Sequence, residues 1–173
     1  TRKQQLVLSS STSEIRHTLL EELVKIYELM MAVTEMDLNA HEQLNHNIIS
    51  DSTSLSLKDK LCHILFCLGN VFGLLQRYDE SSESYRRCLT MLKFMNREEE
   101  LTYGSIMHNY ALVLEKLGGT DNLYYAQKAY ETSLAVTEKL LGKTHPVLGD
   151  TLHGIGSIIL DRCLIDQYDT AFQ

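Results

Sequence analysis

Four stretches of the chain carry residue types that can hold phosphate, hold metal or move protons. Gly142-Lys143-Thr144 is the closing triplet of a phosphate-binding loop, but the glycine that must stand five residues earlier is Thr137. Such a loop also follows a strand and opens a helix, whereas here a helical pattern precedes it and His145-Pro146 follows, so the triplet reads as a linker. His41, Glu42 and His46 approach the zinc-protease helix motif with one residue too many, and five residues turn the second histidine about 140° from the first. Cys62, His63 and Cys67 suggest a metal cluster, yet no second Cys-x2-Cys pair completes four ligands. With Cys88 and Cys163 they read as reduced, packed thiols. Glu98-Glu99-Glu100 reads as the first turn of a helix capped by Asn96, where the helix dipole favours negative charge. No Ser–His–acid or paired-carboxylate spacing occurs, so the reading is non-catalytic, with no metal and no cofactor.

The composition narrows the classes further. The chain has 173 residues, 44% hydrophobic and 23% charged, which suits one globular domain or a short repeat array. Sixteen basic against 23 acidic residues give a net charge of −7, the wrong sign for a nucleic-acid surface. One proline and nine glycines leave little turn chemistry for a β-sandwich or barrel, and four cysteines are too few for a disulfide scaffold. The longest nearly apolar stretch, Leu61 to Leu75, contains His63 and Asn70 and is too short to span a bilayer. The amino end carries no secretory-signal pattern and no Asn-x-Ser/Thr sequon occurs, which favours an intracellular, cytoplasmic setting. The first residue is not Met, which is consistent with a processed or excised chain.

The elements follow from periodicity. Residues 1–12 read as a flexible lead-in ending in the polar run Ser9 to Ser13. Ser13 then caps a helix whose stripe is Ile15, Leu19, Leu23, Ile26, Met30 and Val33. This segment forms either one helix over 13–49 or two broken near Asp37–Asn39, and its stripe packs on the next helix or forms a coiled-coil seam. Ser50 to Ser54 reads as a loop closing an amino-terminal cap of residues 13–53.

Beyond residue 54 the chain repeats itself. Leu65, Leu68, Gly69 and Phe72 are followed by Ser81, Tyr85, Cys88 and Leu89. At offset 42 come Met107, Tyr110, Ala111 and Leu114, then Ala126, Tyr130, Ser133 and Leu134. A third copy, 45 residues on, has Leu152, Ile155, Gly156 and Ile159, then Ala171. Small residues at fixed places let two antiparallel helices approach, and large ones fill the remaining gap.

This pattern resembles the tetratricopeptide repeat, and Leu141-Gly142-Lys143-Thr144-His145-Pro146 resembles the inter-repeat linker of its kinesin-light-chain subtype. The resemblance implies an all-α solenoid of about three helix-turn-helix repeats, at 62–95, 104–140 and 149–173, the last incomplete. Its helix-packing positions would be Leu68, Gly69, Phe72, Ser81, Tyr85, Ala111, Ala126, Tyr130, Gly156 and Ala171. Helix B of the third repeat would begin near Gln167, and further helices would follow Gln173 to cap the array.

In this family the first helix of each repeat lines a concave groove. Carried over, the resemblance assigns to it His63, Phe66, Cys67, Asn70 and Gly73; Ser105, His108, Asn109, Leu112 and Glu115; and Asp150, His153, Gly154, Ser157 and Leu160. An asparagine amide can pair with both the N–H and the C=O of an extended peptide, which singles out Asn70 and Asn109. The same residues also fit an ordinary solvated helix face. The groove has no lysine or arginine, so docking of an acidic tail is disfavoured and a neutral or basic peptide is expected. The leading reading is therefore a protein-interaction module that binds a peptide or helix of a partner, without nucleic acid or membrane insertion. The alternatives are a structural subunit of a larger complex and a regulatory region whose catalysis lies elsewhere.

Gly69→Leu should overpack the seam and cost roughly 1–3 kcal/mol. An unchanged thermal melt would contradict this repeat register.

Overall fold

A computed structural model describes the backbone of residues 2–44 and 52–171 and the side chains of 12–43 and 52–164. The described residues form six helices and no strand: α1 (Arg2–Leu44), α2 (Ser52–Leu74), α3 (Tyr78–Phe94), α4 (Leu101–Leu117), α5 (Thr120–Leu141) and α6 (Leu148–Ala171). None of these helices is long and apolar enough to cross a membrane. The chain divides into two compact units, residues 1–77 and 78–173.

In the first unit α1 packs on α2. The ion pair Lys58–Glu42 at 3.2 Å sets the start of α2 beside the end of α1, and Arg77–Glu21 at 3.1 Å sets the residues after α2 beside the middle of α1, which marks the two helices antiparallel. The structure corrects one sequence reading here and decides between two alternatives left open. Residues 2–12 belong to α1 rather than to a lead-in, and α1 crosses Asp37–Asn39 unbroken. The span 2–44 has no glycine or proline, and a serine in a helix costs only about half a kcal/mol. Ser52 to Ser54, read as loop, form the first turn of α2, with Ser54 buried. His46 and the end of the 13–49 segment lie outside the described residues.

The buried stripe of α1 also differs from the one read in the sequence. Val24 is buried against Ile64, Leu68, Val71 and Phe72, with Leu20, Leu23, Tyr27 and Met31 packed around them. Of the six stripe residues read above, all but Leu23 are exposed. The helix is apolar on two adjoining faces, and α2 takes the face centred on Val24.

The second unit is a succession of neighbours: α3 packs on α4, α4 on α5, and α5 on α6. The turn from α3 to α4 places Asn96 in the left-handed region at φ 56°, and the Arg97 N–H donates to the Leu92 carbonyl at 2.9 Å. Asn96 therefore ends α3 instead of capping α4, a position in which an asparagine tolerates positive φ. Glu98 to Glu100 precede α4, which opens at Leu101 behind Glu100. Glu100 accepts two hydrogen bonds from the Arg97 guanidinium at 2.6 and 2.8 Å. Glu99 pairs with Lys139 at 2.8 Å. Gly142 ends α5 at φ 86° and ψ 162°, a conformation open to glycine.

One cluster holds α4, α5 and α6 together: Ala111, Leu114, Leu123, Ala126, Ala129, Tyr130 and Ile158, with Met107, Tyr110, Leu117 and Ile155 packed against it. Ala111, Ala126 and Tyr130 are fully buried. Gly154, assigned above to the groove, makes the close approach in α6: a methyl group there would lie 2.5 Å from Cζ of Tyr130. Gly156, assigned to the seam, has open space instead. The third-repeat helix B expected near Gln167 is replaced by continuation of α6 to Ala171. No glycine or proline lies between Ser157 and Ala171 to stop it. The Ala171 side chain lies outside the described residues.

The Gly154 contact gives a direct test. Gly154→Ala should destabilise the second unit by about 1–3 kcal/mol, because the Tyr130 ring cannot withdraw without opening the cluster. Urea unfolding of the full chain measures it, and a midpoint equal to the parent's would contradict the close approach.

Candidate functional site

Between α4 and α6, with α5 as its floor, the second unit carries two cavities that share His108 and Asp150. The larger, about 560 Å³, is lined by Leu101, Ser105, His108 and Asn109 of α4, Ser133, Thr137 and Leu141 of α5, the linker residues His145 and Val147, and Asp150 and Thr151 of α6. The smaller, about 390 Å³, adds Leu112, Glu115, Tyr130, His153, Gly154 and Ser157. Their common members make one trough along the α4–α6 line.

Its geometry follows from helix spacing. Ser105, His108, Asn109, Leu112 and Glu115 recur at three and four residues, so α4 presents them on one face. Asp150, His153, Gly154 and Ser157 do the same on α6. The small buried residues of α5, Ala126 and Ala129, let both helices approach its axis, and Tyr130 fills the space between them.

Three polar contacts fix the trough. The His108 Nδ1 and Thr151 Oγ1 lie 2.9 Å apart, joining α4 to α6. The Tyr130 hydroxyl donates to Glu115 Oε2 at 3.2 Å, and Ser157 Oγ donates to the other oxygen of Glu115 at 3.4 Å. The His108 ring stands edge-on to Tyr130, with centroids 5.3 Å apart. Burial pushes the His108 imidazole below its ordinary pKa, and the Asp150 carboxylate opposes that shift only in part. His108 is therefore neutral at physiological pH. Burial, then the neighbouring Glu115 charge and hydrogen bond, push the Tyr130 phenol up, so it stays a donor.

The trough brings together Ser105, His108, Asn109, Leu112, Asp150 and His153. His63, Phe66 and Asn70 lie on α2 in the first unit, where the His63 Nε2 is 3.7 Å from the Cys67 sulfur. Sequence reasoning missed Thr137, Leu141, His145, Val147 and Thr151 as lining. The spacing 126-130-133-137 on α5 contains the signal for Thr137, because it continues the Ala126–Tyr130 face by one turn. The carboxylates of Asp150 and Glu115 are the only formally charged groups in the lining of the two cavities, apart from the histidines. The arrangement includes one hydroxyl–imidazole pair, Thr151 with His108. It is a recess with two carboxylates, amide and hydroxyl groups and apolar side chains.

The helix-turn-helix succession and its small-residue seams define an all-α solenoid of the tetratricopeptide-like type. Among solved structures, the crystal structure of BtubC (BKLC) from P. vanneervenii is similar, with a TM-score of 0.57 and 16% sequence identity over 87% of this chain. The matched region is 64% of the BtubC chain. No family model and no curated protein matches the sequence.

The buried imidazole has a consequence for stability. A base whose pKa is lower in the folded than in the unfolded state binds protons better when unfolded. His108 thus contributes stability that is present above about pH 6.5 and lost as the pH falls through its lower folded value. Thermal melts at pH 7.5 and pH 5 should show a larger drop for the parent than for His108→Gln. Equal drops would contradict the buried neutral imidazole.

Proposed function

We propose that the chain is a protein-interaction module and that the α4–α6 trough takes an extended segment of a partner protein. The observation that supports this is the continuity of two cavities whose lining mixes polar side chains with the apolar Leu101, Leu112, Leu141 and Val147. A peptide backbone matches such a lining: Asn109 can receive its N–H and C=O, and Leu112 and Val147 can flank its side chains.

The charge of the trough selects the ligand. Asp150 and Glu115 face it and the chain carries −7 overall, so the ligand is neutral or basic. A lysine or arginine of the peptide is placed to meet Asp150. The linker Leu141 to Pro146 supports kinship with the kinesin-light-chain subtype, while the absence of basic lining argues for a different cargo charge from the one that subtype favours.

Fluorescence anisotropy with matched basic and acidic peptide libraries at pH 7.5 tests the reading. Basic peptides should bind tighter, and Asp150→Asn should weaken them about 5- to 20-fold while leaving the fold intact. Tighter binding of the acidic set would overturn the assignment.

A further inference from the structure

The long first helix has a second apolar face that the first unit leaves open. Ile15, Leu19, Ile26, Leu29, Val33 and Met36 are all exposed, each by more than half of its surface. Their spacing, continued to Ala40, is a heptad seam of alternating four- and three-residue steps, interrupted at one position by Glu22. The seam runs about 38 Å along the helix. It is distinct from the Val24 face that packs on α2.

We propose that this face pairs with the same face of a second copy of the chain, antiparallel, with its centre between Ile26 and Leu29. In that register Leu19 meets Met36 of the second copy and Ile26 meets Leu29, so apolar residues meet in these layers, and Glu22 faces Val33 in the layer between them. The flanking row just after the three-step positions reads Arg16, Leu23, Met30, Asp37. Reversed against itself it sets Arg16 beside Asp37 and Leu23 beside Met30: opposite charges at the ends and apolar contact in the middle. A parallel pair gains neither. It would stack Glu22 on Glu22 within the seam, and would set Asp37 against Ala32 and Met30 against Lys25. The antiparallel register places Glu22 opposite Val33, with its carboxylate held by Lys25 of its own helix at 2.8 Å. The row is complementary to itself in one direction, and that is what identifies the occupant as a second copy.

Sedimentation equilibrium of the full chain tests this, with circular dichroism as the check on folding. The parent should dimerise with a dissociation constant in the micromolar range or tighter. Leu19→Glu combined with Met36→Glu, both at exposed positions, should weaken the dimer at least about 100-fold with helicity unchanged. Arg16→Asp and Asp37→Arg should each weaken it about 3- to 10-fold, and the double exchange should restore the parent value, since it re-forms the same pairs with the signs reversed. A parent that stays monomeric at 100-fold above micromolar concentration, or a double exchange no better than the single ones, would overturn the proposal.

Discussion

An aromatic ring wedged among three helices can be displaced only if all three move, and Tyr130 occupies that position. It is fully buried, Gly154 of α6 lies directly against its ring, and its hydroxyl reaches Glu115 of α4. The distance between α4 and α6 is therefore set by the size of one side chain on α5. Ala111, Ala126 and Ala129 are small because any larger residue would push the helices off the ring. The recess that would take a partner lies over this wedge, and its Glu115 carboxylate and His108 imidazole are held by contacts to the ring and to α6.

The polar contacts of the trough depend on the same spacing. A hydroxyl of α6 within 2.9 Å of an α4 imidazole requires the two helices to run close together over one turn. The two Glu115 bonds require α5 and α6 to approach α4 at once. These interactions are individually worth about 1 kcal/mol, so their role is to orient groups more than to hold the fold. Burial of the apolar cluster supplies the larger share. The first unit is built on a simpler rule: one apolar face of α1 is closed by α2, and two ion pairs, Arg77–Glu21 and Lys58–Glu42, agree with the antiparallel direction of the two helices.

Much of this was legible in the residues. The small and large positions of the second repeat, Ala111, Ala126 and Tyr130, stand out because tight helix contact demands their sizes, and the structure puts them in one cluster. The face of α4 carrying Ser105, His108, Asn109 and Leu112 came from the resemblance to the repeat family, and helical spacing keeps these residues on one side. Other features were hidden for physical reasons. Gly154 and Gly156 are two residues apart, and a pattern of types does not reveal which of them lies against α5. Asn96 reads equally as a cap for the next helix or an end for the last, and only the backbone angle decides. The exposure of Ile15 and Leu19 was hidden because α1 has two apolar faces and a periodicity does not say which one a neighbour covers. Thr151 and His145 join the trough through tertiary proximity, which leaves no local signature.

The central claim is that the Tyr130 ring sets the α4–α6 spacing through its contact with Gly154, and a double-mutant cycle measures it most directly. The unfolding free energy of the full chain is compared for the parent, Gly154→Ala, Tyr130→Leu and the double variant. If the ring sets the spacing, the added methyl is costly beside tyrosine and nearly neutral beside leucine, giving a coupling of about 1 kcal/mol or more. Strictly additive costs would show that the two residues do not limit one another and would contradict the account.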